Sequence, residues 1–170
     1  MEDIWLERYA FKNKPFDHQR EYLQRFWKKP VAALFADMGT GKSFMVINNI
    51  AMLYDVGKVN SALIIAPKGV YRNWVDEELP KHLPEHVIHR TALWTPNPRK
   101  AEKAELEKLW EVSDDLKILV MNVEALSTKK GVEYAKRFTM FTKCFMAIDE
   151  STTIKTPTAK RAKNVLKVGQ

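Results

Sequence analysis

The sequence predicts an α/β protein built on a mainly parallel sheet with helices on both faces. Two observations carry this. Residues 31–35, 61–66, 116–121 and 143–148 are short, nearly continuous apolar runs separated by helix-like stretches. Strands buried on both faces read as unbroken apolar runs, whereas half-exposed strands alternate. The second is size and balance. The 170 residues, 45% hydrophobic and 29% charged, suit one soluble domain with a buried core and are too few for two ordinary ones.

The elements follow in order. Residues 17–28 place Tyr22, Leu23, Phe26 and Trp27 at helical spacing, with Asp17 as the expected N-cap. Residues 31–35 form a strand between Pro30 and a loop containing Gly39 and Gly41. Residues 42–54 form a helix with Met45, Val46, Ile50 and Leu53 on its apolar stripe. Residues 61–66 form the next strand, ended by Pro67. A helix is expected over 70–82 and a strand over 87–94. Residues 99–111 form a charged helix with Leu106, Leu109 and Trp110 on one side and a solvated face opposite. The strand 116–121 leads into short helical material around 123–126 and 131–138. After the strand 143–148 and Pro157, residues 158–167 form a basic helix.

Composition excludes several classes. No stretch approaches the ~20 apolar residues a membrane span needs, and the acidic, aromatic start is unlike a signal peptide. The single cysteine, Cys144, excludes an intrachain disulfide and a cysteine-built zinc site, and is expected to be a small buried strand residue. A cytoplasmic protein is expected, in a bacterial or phage context, or a nuclear one if eukaryotic. The net charge is +7, and residues 151–170 hold five cations (Lys155, Lys160, Arg161, Lys163, Lys167) and no acid. That excess points to a polyanionic partner such as nucleic acid, with a solvated basic face as the alternative.

Ligands of parallel sheets gather at the carboxyl ends of the strands. After the first strand comes Ala36-Asp37-Met38-Gly39-Thr40-Gly41-Lys42-Ser43. This is a phosphate loop in which Ala36 stands where the first glycine is usually written. Gly39 and Gly41 let the backbone N–H groups turn inward as an anion nest, and the following helix adds its N-terminal dipole. Met38, Gly39, Thr40, Gly41, Lys42 and Ser43 are thus the expected contacts to ATP. Lys42 reaches the β/γ-phosphates and Ser43 offers its hydroxyl to Mg²⁺. The apolar run 144–148 leads directly into Asp149-Glu150. Asp149 would hold the metal, and Glu150 would polarise the attacking water. The other acidic pairs, Asp114-Asp115 and Glu77-Glu78, are read as solvated.

Together these residues resemble the superfamily 2 helicases, and within them the Swi/Snf-type double-stranded DNA translocases. Gln19 in Phe16-Asp17-His18-Gln19, 23 residues before Lys42, resembles the glutamine motif that reads adenine. Residues 37–43 look like the family's phosphate loop, where alanine at the first position is common. The run from Ile64 to Lys68, continuing to Asn73-Trp74, and the run from Val120 to Leu126 resemble segments that touch the DNA backbone. Asp149-Glu150-Ser151-Thr152 occupies the DEAD/DEAH-box place, and Ile154-Lys155 resembles the Ile-Lys-Asn run after it. The resemblance spans about residues 16–167. It implies a RecA-like, P-loop NTPase fold, a three-layer sandwich, with Lys42, Asp149 and Glu150 catalytic. It also implies nucleic-acid contacts at Lys68, Asn73, Asn122 and Lys155, with Arg72, Ser127 and Thr128 beside them. Ser151-Thr152 replaces the usual Ala-His, Ala-Asp or Gly-His.

The sequence stops at Gln170, before the Ser/Thr-Gly-Thr/Ser segment of the first lobe and before the second lobe with its arginines. The expectation is therefore a first motor lobe that contacts nucleotide but, alone, hydrolyses it poorly. Of the aromatics ahead of Gln19 (Trp5, Tyr9, Phe11, Phe16), one could stack on adenine, while most are expected to pack in the core. Two other classes stay open: a small phosphotransferase, and a non-catalytic nucleic-acid-binding module descended from a motor.

Overall fold

The computed structural model describes residues 6–28 and 41–149. The expected strand 31–35, the loop residues 36–40, Trp5, Glu150, Lys155 and the expected helix 158–167 lie outside the described residues. The described strands are β1 (Ser61–Ala66), β2 (His89–Leu93), β3 (Leu116–Asn122) and β4 (Cys144–Ile148). They form one parallel sheet in the order β2-β3-β1-β4. The four strands coincide with the expected ones to within two residues at each end.

The helices are α1 (Asp17–Phe26), α2 (Lys42–Asp55), α3 (Tyr71–Asn73), a π-helical turn (Trp74–Glu78), α4 (Leu79–His82), α5 (Lys100–Lys108), a 3₁₀ turn (Val123–Ser127) and α6 (Lys129–Phe141). Because successive strand residues point to opposite faces, the sheet carries two cores. Leu63, Ile65, Leu119 and Met121 face Leu106 and Leu109 of the α5 segment and Ala135 and Phe138 of α6. Ala62, Ile64, Ala66, Ile118 and Val120 face Ile47, Ile50 and Ala51 of α2 and Tyr71, Trp74 and Leu79. All six residues of β1 are buried, which is the physical content of its unbroken apolar run. Each fully buried aliphatic side chain of this kind stabilises the fold by about 1.5–3 kcal/mol.

A further layer explains one departure from expectation. Leu6, Leu23 and Trp27 pack with Phe44, Met45 and Met52 of α2. Helix α2 is thus pressed between the sheet and α1, and is buried from Phe44 to Met52 apart from Val46. A single apolar stripe was expected; two opposed faces are covered instead. Asn48, inside it, donates to the Phe44 carbonyl at 2.9 Å.

Other expectations are corrected. Asp17 does not cap α1. Phe16 is the cap residue, and its backbone N–H donates to Gln19 Oε1 at 2.8 Å. Asp17 lies in the first turn, where its charge suits the helix dipole. The helix expected over 70–82 is interrupted by a π turn, with Leu79 N–H donating to the Trp74 carbonyl. Pro80 gives the reason: a proline ring meets the carbonyl four residues back in a regular α-helix and offers it no N–H, and widening the turn relieves this. Asp115 is not simply solvated, since Arg90 Nε donates to it at 3.0 Å and Arg90 Nη1 to Glu111 at 2.7 Å. Glu78 lies 3.4 Å from His82. Cys144 is half-buried rather than buried, and desolvation pushes its thiol up to about 11.

Candidate nucleotide site

Gly41, in the expected phosphate loop, is the N-cap of α2. Its φ of 77° and ψ of 40° lie in the left-handed region, where a side chain would be strained. A Cβ there would also stand 2.1 Å from Gln19 Nε2. Glycine is therefore required by conformation, and a Cβ would also push the end of the Gln19 side chain aside. Gln19 is 3% exposed. Its Oε1 accepts from the Phe16 N–H, which orients the amide, and its Nε2 faces the Gly41 carbonyl at 3.5 Å. Gln19 and Gly41, 22 residues apart, thus meet at the start of α2.

Lys42 and Ser43 occupy the first turn of α2, a 14-residue helix with no acidic residue in that turn. Both are partly exposed. The unpaired N–H groups of such a terminus present positive field to an anion. Of the loop, Met38, Gly39 and Thr40 lie outside the described residues.

The sheet positions the second part. The β4 register sets Ile65 beside Ile148, and the ladder continues one residue further, with Asp149 N–H donating to the Ile65 carbonyl at 2.7 Å. Asp149 therefore stands at the carboxyl end of the sheet, with Ala66 and Pro67 leaving β1 alongside. The carboxylate accepts at Oδ2 from the indole Nε1–H of Trp74 at 3.0 Å. Sequence reasoning gave Trp74 no part in this site. The sequence places Asn73-Trp74 in a segment expected to touch the DNA backbone, whereas Trp74 is buried and its pairing spans 75 residues.

The expected nucleic-acid residues divide. Lys68, Arg72 and Asn73 are exposed on the segment after β1, although Arg72 lies 3.9 Å from Glu102. Asn122 is 7% exposed, and its Oδ1 accepts from the Ala125 N–H at 2.8 Å. It builds the turn after β3, with little of its surface exposed. Thr128 caps α6, its Oγ1 accepting from the Gly131 N–H at 3.1 Å and donating to the Ala125 carbonyl at 2.7 Å. Among the aromatics, Phe11 stacks on Phe44 and Tyr9 packs edge-on against Phe11. Phe16 is 68% exposed and lies parallel to the His18 ring.

The model of the SNF2-related domain matches residues 18–170. The DNA excision repair protein ERCC-6-like of Danio rerio is 28% identical over 170 residues, covering 89% of this chain and 10% of that protein. Its Homo sapiens counterpart is 26% identical over 168 residues, covering 88% and 12%. The chain thus spans about a tenth of the length of these relatives. Among solved structures, the Sulfolobus solfataricus SWI2/SNF2 ATPase core in complex with dsDNA has a similar fold. Its TM-score is 0.67 at 24% identity, over 92% of this chain and 30% of that one.

Proposed function

This chain belongs to the SNF2-related domain family, and from that premise we propose that it is the ATP-binding first lobe of a motor that moves on DNA. The observation that carries the reading is the contact of Gln19 with Gly41. It joins the residue that would read the base to the loop that would hold the phosphates.

Mg²⁺-ATP fits the residues present. Lys42 supplies a compact cation and Ser43 a hydroxyl, at a helix start free of acids, and Asp149 supplies a strand-end carboxylate. Mg²⁺ is bound through few protein oxygens, with waters and phosphates completing its shell. The bound ion would neutralise charge developing on the phosphoryl group. Glu150 orients the attacking water, and Lys68, Asn73 and Lys155 take backbone phosphates. A second lobe completes the site with arginines, worth roughly 10³–10⁵ in rate. ATP then draws the lobes together and hydrolysis releases them.

The test is titration of the chain with a fluorescent ATP analogue and Mg²⁺. Lys42→Ala is expected to weaken binding at least roughly tenfold, about 1.4 kcal/mol; unchanged affinity would sink the reading. In a protein carrying both lobes, Glu150→Gln is expected to keep binding and abolish turnover.

A further inference from the structure

Trp74 is buried, 4% exposed, at the start of the π turn, where it packs with Ile64, Tyr71 and Leu79. A phenylalanine would supply most of that apolar contact. What tryptophan adds is one N–H, which a buried indole must give to an acceptor. It gives it to Asp149 Oδ2 at 3.0 Å.

We propose that Trp74 is a positioning residue for Asp149, its indole N–H fixing the carboxylate in the orientation that receives the metal. This rests on the reading of Asp149 as the metal carboxylate. The backbone of Asp149 is already held by the ladder bond to Ile65, so the side-chain torsions are the remaining freedom. An indole carries a single donor, so it occupies Oδ2 and leaves Oδ1 to accept from a metal-bound water or to meet the ion. A hydrogen bond to an ionised acceptor is stronger and shorter than a neutral one, and hydrogen-bond partners of metal-binding carboxylates tune affinity through orientation. The π turn belongs to the same device, because the wider turn determines where residue 74 stands relative to the end of β4.

The experiment measures the Mg²⁺ concentration that half-saturates binding of a fluorescent ATP analogue to the chain. Trp74→Phe is expected to raise that midpoint roughly tenfold, leaving metal-free nucleotide affinity unchanged. Asp149→Asn is expected to raise it too, and Trp74→Phe/Asp149→Asn to match Asp149→Asn alone, because both act through one bond. If Asp149→Asn does not move the midpoint, the metal-site reading fails. If Asp149→Asn moves it and Trp74→Phe only lowers the melting temperature, the inference about Trp74 is overturned while the site reading stands. Should Trp74→Phe fail to fold, the indole N–H resonances of the ¹⁵N-labelled chain decide. One is expected to shift upfield in Asp149→Asn and to respond to Mg²⁺-ATP in the unmutated chain; no such resonance overturns the proposal.

Discussion

A methyl group at Gly41 would meet Gln19 Nε2 at 2.1 Å in a backbone conformation with φ of 77°. The left-handed conformation alone costs a side-chain-bearing residue about 1–2 kcal/mol, and the end of the Gln19 side chain would have to move aside. Gly41→Ala is therefore expected to lower the urea midpoint and to weaken nucleotide binding, since relief requires Gln19 or the loop to move. Retained stability and binding would show that the contact is slack. His82 makes a different prediction. Burial lowers its affinity for protons, Glu78 opposes the shift, and Lys81 adds to it. Asn13 Nδ2 also lies 3.4 Å from His82 Nδ1, an arrangement that suits a neutral ring accepting there. The unfolded chain then binds more protons than the folded one. Stability is full above the ordinary histidine value of 6.5 and is lost as pH falls through the lower folded value. Thermal melts from about pH 7.5 down to about 5.5 should show this slope, and His82→Gln should flatten it.

At the scale of the element, the turn after β3 is held by side chains that resemble functional groups in the sequence. Asn122 caps the 3₁₀ turn and Thr128 caps α6. At Gly131 a Cβ would stand 2.2 Å from the Ala125 carbonyl, so the helix start and the turn share one tight junction. Loss of either cap is expected to cost about 1 kcal/mol. Asn122→Ala should therefore lower stability in urea while leaving DNA affinity unchanged. A loss of DNA binding at constant stability would return Asn122 to the contact surface. The π turn shows the same dependence on context. Helical periodicity runs through residues 70–82 without a break, yet Pro80 forces the widened turn from which Trp74 reaches Asp149.

The whole molecule carries a net charge of +7, and Lys68 and Asn73 lie exposed on the segment that follows β1. A polyanion held through its phosphates releases counterions on binding, so affinity should fall steeply with salt and vary little with sequence. Lys68→Ala is expected to reduce the slope of log affinity against log salt by about 1, measured by fluorescence anisotropy on duplex DNA. An unaltered slope would remove Lys68 from the interface. The fold supports such a surface because the parallel sheet directs β1, β3 and β4 to one edge, where their following segments gather.

The sequence alone determined the parallel sheet and, among the described residues, the strand limits to within two residues. Apolar runs bounded by turn residues are local patterns that report local physics. The tertiary structure decided what periodicity cannot carry. A hydrophobic stripe reveals one buried face but not the second layer that α1 lays over α2. Polar residues such as Asn122 and Thr128 read alike as caps or contacts until their hydrogen-bond partners are seen. The partners of Gln19 and Trp74 follow from helix packing and sheet register, which bring together residues 22 and 75 positions apart. Such pairings are properties of the assembled layers, because no segment contains both members.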